Sequence, residues 1–139
     1  MRKRKLESLR IEGCFPLIPV GKQSVRSNKG GQFYIPSKTK KFMAQVAYFA
    51  RGIYKGDPLE IPLSVELTFA FPNEGHRLKP KHSSEWQCQK PDLDNLEKSF
   101  VDALSGIIWK DDCWVVEKKS CKVWSNVSGI WLLVKKAGS

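Results

Sequence analysis

Lys90-Pro91-Asp92-Leu93-Asp94-Asn95-Leu96-Glu97-Lys98-Ser99-Phe100-Val101-Asp102-Ala103-Leu104-Ser105-Gly106 carries two kinds of information at once. Its first part joins a proline to Asp and Asn, the composition of a chain turning into a helix. Further on, Phe100, Leu104 and Ile107 recur at helical spacing and mark a core face, so the stretch predicts a helix over 94–105 that stops at Gly106. Asp94 suits its N-cap with Glu97 at the third helical position, and Lys98 lies one turn further along the face that Asp94 opens.

Outward from this helix the elements alternate. On the C-terminal side, two strands are expected over about 114–123 and 128–135, joined near Asn126. On the N-terminal side, Ile61–Phe71 is rich in β-branched and aromatic residues, and Val65, Leu67, Phe69 and Phe71 share one face of a strand. A helix over 37–51 follows Pro36, with Phe42, Val46, Ala47 and Ala50 as its apolar stripe. Leu9, Ile11 and Phe15 alternate within 7–20, the first strand, which prolines close. The resulting βαβαββ order predicts a single α+β domain over residues 1–139, a small mixed sheet flanked by two helices. Three segments fall outside these elements: a basic tail at 1–5, a glycine-rich basic loop from Gly21 to Gln32, and a long flexible basic loop over 72–91.

Composition narrows the partner. Twenty-four Lys and Arg against fourteen Asp and Glu give a formal charge of +10, which favours polyanions without naming one. Lys22, Arg26 and Lys29 in the glycine-rich loop, and Lys79, Lys81 and Lys90 in the 72–91 stretch, are the candidate phosphate contacts. No apolar run approaches the roughly 18 to 20 residues of a membrane span, and no apolar segment follows the charged start. A soluble, cytoplasmic protein without a membrane partner is the expectation. Cys14, Cys88, Cys113 and Cys121 are scattered, with no CxxC pair, which suits reduced structural thiols better than zinc or a disulfide framework.

Against this basic background, Asp92, Asp94, Asp111 and Asp112 gather at the two ends of one helix. Carboxylates brought together repel, by about 4 kcal/mol at 4 Å and an effective dielectric near 20, unless a proton or a cation comes between them. Hard oxygen donors without His or Cys suit Mg²⁺ or Mn²⁺, and Lys98 is placed to offset charge on a phosphate. The same residues also read as local structure: Asp94 and Glu97 as a capping box, Asp92 and Asn95 as a turn, Asp111-Asp112 as a solvated turn. Spacing leaves both readings open.

The run from Lys90 to Glu117 resembles the defining segment of the RusA family of Holliday junction resolvases, which are crossover junction endodeoxyribonucleases. The shared pattern is a basic residue before P-D-x-D-N-L, then a Lys, D-A-L, and D-D ahead of a V-V strand. A weaker similarity covers Pro19-Val-Gly-Lys22 and Tyr34-Ile-Pro-Ser-Lys-Thr-Lys40. The resemblance implies metal-binding aspartates at Asp92, Asp94 and Asp112, with Asp111 a neighbour, and an essential lysine at Lys98. It also implies Mg²⁺ as cofactor (Mn²⁺ as substitute), a homodimer, branched DNA as substrate, and paired symmetric nicks leaving 5′-phosphate and 3′-hydroxyl ends. Cys113 and Trp114 depart from the small or polar residues common at those places, and the 72–91 loop, with Glu85 and Trp86, is longer than in compact members.

Other residues carry weaker readings. Trp86 is a loop anchor or a platform for an unpaired base. Trp109, Trp124 and Trp131 belong to the core or a dimer interface. Lys118, Lys119 and Lys122 line either a DNA face or a solvated strand face. His76 and His82 offer proton transfer only from within the basic loop. The enzyme reading has two rivals: a catalytically inactive branched-DNA-binding protein, which would be free to lose one of Asp92, Asp94, Lys98 and Asp112, and a basic RNA- or ribosome-associated domain, which leaves the acidic cluster unexplained.

Overall fold

The computed structural model describes residues 8–22, 26–27, 29–34, 37–73 and 85–139. Among them the strands are β1 (Arg10–Phe15), β2 (Arg26–Ser27), β3 (Phe33–Tyr34), β4 (Leu63–Pro72), β5 (Val115–Ser125) and β6 (Gly129–Lys136). Two α-helices, α1 (Ser37–Ile53) and α2 (Leu93–Leu104), and one 3₁₀ turn (Asp112–Trp114) complete the set. Four strands form a mixed sheet in the order β1-β6-β4-β5, as the α+β reading expects; β2 and β3 pair separately as a short ribbon in the glycine-rich segment.

Strict alternation in β4 makes it the centre. Leu63, Val65, Leu67, Phe69 and Phe71 are buried on one face, flanked by Ile130, Leu132 and Val134 of β6 and by Ile11 and Phe15 of β1. Both helices cover this face. Phe42, Val46 and Ala50 of α1 join Leu96, Phe100 and Leu104 of α2 in one continuous core. Phe100 is its keystone, meeting Phe15 edge-on at 4.9 Å and Phe69 at 6.1 Å between ring centroids. Burying such a ring is worth about 1.5–3 kcal/mol, so α2 is fixed firmly against the sheet. The opposite face stays open, with Trp131 40% exposed between Cys14 and Thr68.

β5 runs parallel to β4, whereas β1 and β4 are each antiparallel to β6. Parallel neighbours need a crossover, and α2 provides it, delivering the chain from the end of β4 to the start of β5. The path back is tied down at both ends of the helix. Gly106, at φ 86°, takes the left-handed conformation that ends α2. Beyond it Trp109 is fully buried, and Leu59 brackets the turn through Leu59 N to Ile108 O (2.8 Å) and Lys110 N to Leu59 O (3.0 Å).

Three expectations change in detail. The first strand is shorter than 7–20, because Pro16 and Pro19 withdraw backbone donors and the chain leaves the sheet to run along α2. There the Ser99 hydroxyl donates to Val20 O (2.6 Å) and Lys22 N to Asn95 O (2.9 Å). The helix starts two residues earlier than a cap at Asp94 would give: Asp92 is the N-cap residue, and its side chain makes no capping bond. Finally, the end of the 72–91 stretch is structured. Trp124 N donates to Glu85 O (2.7 Å) and Gln87 N to Lys122 O (3.0 Å), so 85–87 lines the outer edge of β5. Residues 74–84, with Lys79, Lys81, His76 and His82, lie outside the described residues, as does the tail at 1–5.

Candidate active site

Helix α2 sets the geometry of every predicted catalytic side chain. Asp92 and Asp94 stand at its N-terminal end, both exposed. Lys98 follows Asp94 by four residues, and Asp102 follows Lys98 by four, so the three form a stripe along one flank of the helix. At the C-terminal end the 3₁₀ turn brings Asp112 to Asp102, whose carboxyl it contacts. Asp112 also accepts from the Ser105 hydroxyl and from the Trp109 indole Nε1 (3.3 Å). Asp102 in turn accepts from the Lys22 ammonium.

This arrangement corrects one expectation. Asp112 does not meet Asp92 and Asp94. Eight residues separate Asp94 from Asp102, about 12 Å of helix at 1.5 Å per residue, and Asp112 lies at the far end of that span. Among the described residues no three His, Cys, Asp or Glu side chains come together at one point. The physical reason is that the turn through Gly106 is pinned to Leu59 and Trp109, which holds Asp112 beside the helix end it has just left.

Instead, Lys98, Asp102 and Asp112 share an open cleft of about 350 Å³ with Glu97, Val101, Val115, Val116 and Lys118. Glu97 receives the Ser120 hydroxyl and pairs with Lys118 at 3.6 Å, so the wall nearest β5 is electrically closed. Within the cleft the two carboxyls are pushed in opposite directions. Burial, and then Asp102 itself, raise Asp112 above the ordinary carboxyl value, while Ser105 and Trp109 partly offset this. Burial also pushes Asp102 up, but hydrogen bonds from Asp112 and Lys22, and the charge of Lys22 and Lys98, carry it below its usual value. Of the two, Asp112 is the carboxyl that gives up its proton last as pH rises.

Two carboxyls in contact mark a position that a hard cation suits. Mg²⁺ characteristically takes one or two carboxylates and completes its shell with water and substrate phosphate. Asp102 and Asp112 make such a two-carboxylate set at the C-terminal end of α2, while Asp92 and Asp94 are both exposed at its N-terminal end. The oxygen-only donors fit Mg²⁺ or Mn²⁺ and argue against zinc.

The remaining predicted residues separate by role. Asp111 caps the 3₁₀ turn, accepting from Asp112 N at 2.7 Å. Lys90 donates to Asp92 at 2.8 Å, and this bond and charge hold Asp92 below the usual carboxyl range. Lys22 turns its ammonium to Asp102 and so points at the carboxyl pair. Its backbone also lines a second cleft of about 410 Å³ with Lys38, Lys90, Pro91 and Asn95, beside the N-terminal end of α2. Lys29 is exposed, and Arg26 lies in β2. Trp109 is core, and Trp86, paired through its backbone near Val123, leaves its ring 59% exposed.

Asp102 and Lys38 were not anticipated from sequence. The signal for Asp102 was present: it continues the four-residue step from Asp94 through Lys98. Lys38 offered no such signal, since its place beside Lys90 depends on how α1 packs against α2.

Comparison with known proteins adds three findings. The profile of the family described as "Endodeoxyribonuclease RusA" matches residues 15–135, which includes α2 and both clefts. The crossover junction endodeoxyribonuclease RusA of Aquifex aeolicus (strain VF5) is 27% identical over 97 residues, covering 68% of this chain and 65% of its own length. Protein YqaN of Bacillus subtilis (strain 168) is 28% identical over 111 residues, covering 75% of this chain and 78% of its own.

Proposed function

Because the chain belongs to the RusA endodeoxyribonuclease family, we propose that it is a Mg²⁺-dependent, structure-selective endonuclease that resolves four-way DNA junctions in recombination and repair by paired symmetric nicks. The observation that carries the reading is the cleft that Lys98 shares with the contacting carboxyls Asp102 and Asp112, within the segment that the family profile covers. Titratable groups pushed in opposite directions inside a cleft mark candidate sites of chemistry.

In this reading Asp102 and Asp112 hold a divalent ion at the C-terminal end of α2, and Asp92 and Asp94 are the carboxylates of the N-terminal end. The bound ion supplies polarisation of the scissile phosphate and a more acidic water. Ser105 and Trp109 aim the Asp112 carboxyl by donating to it, and Lys22 keeps Asp102 ionised. Lys98, midway along the flank, offers its charge to the phosphate as negative charge builds on it. Asp111 acts on the backbone as a cap, so its contribution is to the placement of Asp112. Lys29, Lys38 and Lys90, with Arg26, and Lys79 and Lys81 of the basic loop, would neutralise backbone phosphates. A homodimer suits a junction with twofold symmetry, since two identical sites then face equivalent strands.

The rival, a branched-DNA-binding protein without cleavage, shares the basic surface but has no use for Asp92, Asp94, Lys98 and Asp112 together. The deciding experiment is gel analysis of an end-labelled four-way junction with and without Mg²⁺. Asp94→Asn should leave folding and junction binding intact and abolish the cut. Cleavage by that variant near the wild-type rate would remove Asp94 from the mechanism, and an uncut junction with wild-type protein and Mg²⁺ would favour the binding-only reading.

A further inference from the structure

We propose that Gln87 and Lys122 are positioning residues for the acidic turn Asp92–Asp94, clamping the three carbonyls that precede it; the role in cleavage rests on the nuclease reading above. The carbonyls are those of residues 89, 90 and 91, and each is held by a side chain from outside the turn. The Lys122 ammonium donates to Gln89 O at 2.7 Å and to Pro91 O at 2.8 Å. Gln87, only 3% exposed, donates from Nε2 to Lys90 O at 3.3 Å and accepts from Gln89 N at Oε1, 2.6 Å. The two clamping residues are themselves joined, since Gln87 N donates to Lys122 O at 3.0 Å.

The arrangement is costly enough to need a purpose. Lys122 lies on β5 opposite the buried Phe69 and is itself half-buried. A buried amide such as that of Gln87 is tolerated only when its donors and acceptors find partners, and here the partners are the backbone of one short turn. Asp92 follows the last clamped carbonyl directly, and Asp94 stands two residues further on. The turn has no side-chain cap of its own, because Asp92 does not close the helix start with its carboxylate. That carboxylate is left outward, and the backbone position it requires is set from β5 instead. Such a device fixes ligand geometry without using the ligands, as outer groups around metal sites do.

The test uses the full chain and Lys122→Met, which keeps length and removes the donor. Two readouts do not depend on turnover: hydrogen exchange at the Asn95 and Leu96 amides, which bond to Asp92 O, and the Mn²⁺ concentration needed to broaden the Asp92–Asn95 amide signals. Exchange should quicken at those amides and not in β4, and the Mn²⁺ requirement should rise by about 10- to 100-fold. In the cleavage assay kcat should fall while KM for the junction stays, and Lys122→Arg, whose fork can reach two carbonyls, should recover part of the loss. A general structural role would instead quicken exchange throughout and give Arg no advantage. A folded Lys122→Met with wild-type exchange and Mn²⁺ response overturns the proposal. Should Lys122→Met not fold, Gln87→Met is read by the same two measures, and wild-type values there overturn it equally. If wild-type protein fails to cut but Lys122→Met still loosens the turn and weakens Mn²⁺ binding, the clamp stands and the nuclease reading falls.

Discussion

Asp112→Asn should make the protein more stable at neutral pH while destroying its use of the metal. The asparagine Oδ1 can keep the bonds from Ser105 and Trp109, and its amide can donate to Asp102, so the local network survives. What disappears is the second negative charge. Two full charges at 4 Å and an effective dielectric near 20 repel by about 4 kcal/mol. Both carboxyls are only part-buried and Lys22 already offsets Asp102, so screening reduces the gain to ~1 kcal/mol. For a chain of this size that is roughly 2–4 °C in Tm.

The pH dependence gives the sign. Asp112 has its carboxyl raised on folding, so the folded state binds the extra proton between the ordinary value of 3.8 and the raised one. Stability of the wild type therefore falls as pH rises through that window and stays lowered above it. Asp102, held below 3.8, contributes in the opposite sense, and its stabilisation is lost only as pH drops beneath that value. The variant's advantage should thus be complete at neutral pH and vanish as the pH approaches 3.8. Urea unfolding across this range measures it. Mg²⁺ should stabilise the wild type, by about 2.7 kcal/mol at a hundred times its Kd, and should stabilise the variant much less. An advantage that persists unchanged into acid, or no advantage at neutral pH, would refute the repulsion between Asp102 and Asp112.

Three further outcomes follow from the same structure. Junction binding should weaken steeply with salt, with a log–log slope near −0.9 per phosphate neutralised, about one unit for each Lys or Arg engaged; a flat response in a titration would exclude the basic surface as the DNA face. Gly21→Ala should destabilise by about 1–3 kcal/mol, because a Cβ there would stand 2.9 Å from the Cβ of Pro91, and a neutral effect in thermal unfolding would mean that the segment after β1 is not held against α2. Mixing Asp94→Asn with Asp112→Asn protein should restore nicking if each site of a homodimer draws its two carboxylate ends from different protomers. No restoration in a mixed population would place each complete site within one chain.

How much of this was legible in the sequence depends on the range of the interaction. The strands and helices were, because alternation at Val65–Phe71 and helical spacing at Phe100 and Leu104 are local signals that burial enforces. The basic surface was also legible, since charge is additive. Asp94 and Lys98 could be placed on one flank by counting, and counting once more would have reached Asp102. The error over Asp112 came from treating a turn as free. Whether Gly106–Lys110 folds back along α2 or away from it is decided by Trp109 entering the core and by Leu59 bonding on both sides of the turn, contacts between residues 50 apart in sequence. The order within 85–91 was hidden for a similar reason: nothing in its polar composition announces that Gln87 is buried or that Lys122 reaches across to it.

Helix α2 therefore does more than join β4 to β5. Its length sets the spacing between two carboxylate ends, and Lys98 lies between them on the same flank. Each end is fixed by a different mechanism: Asp112 by donors at the helix terminus, Asp92 and Asp94 by a clamp from β5. Rigid placement of this kind is what a site needs when the substrate itself must complete the metal shell, since the phosphate can then supply ligands only at positions already chosen by the protein. A chain that merely bound branched DNA would gain affinity from flexible lysines and would have no reason to hold carboxylates, which repel phosphate, in fixed positions beside them. Acidic groups oppose DNA binding in the absence of a cation, so the nuclease reading proposed above gives them a use in so basic a chain that binding alone does not.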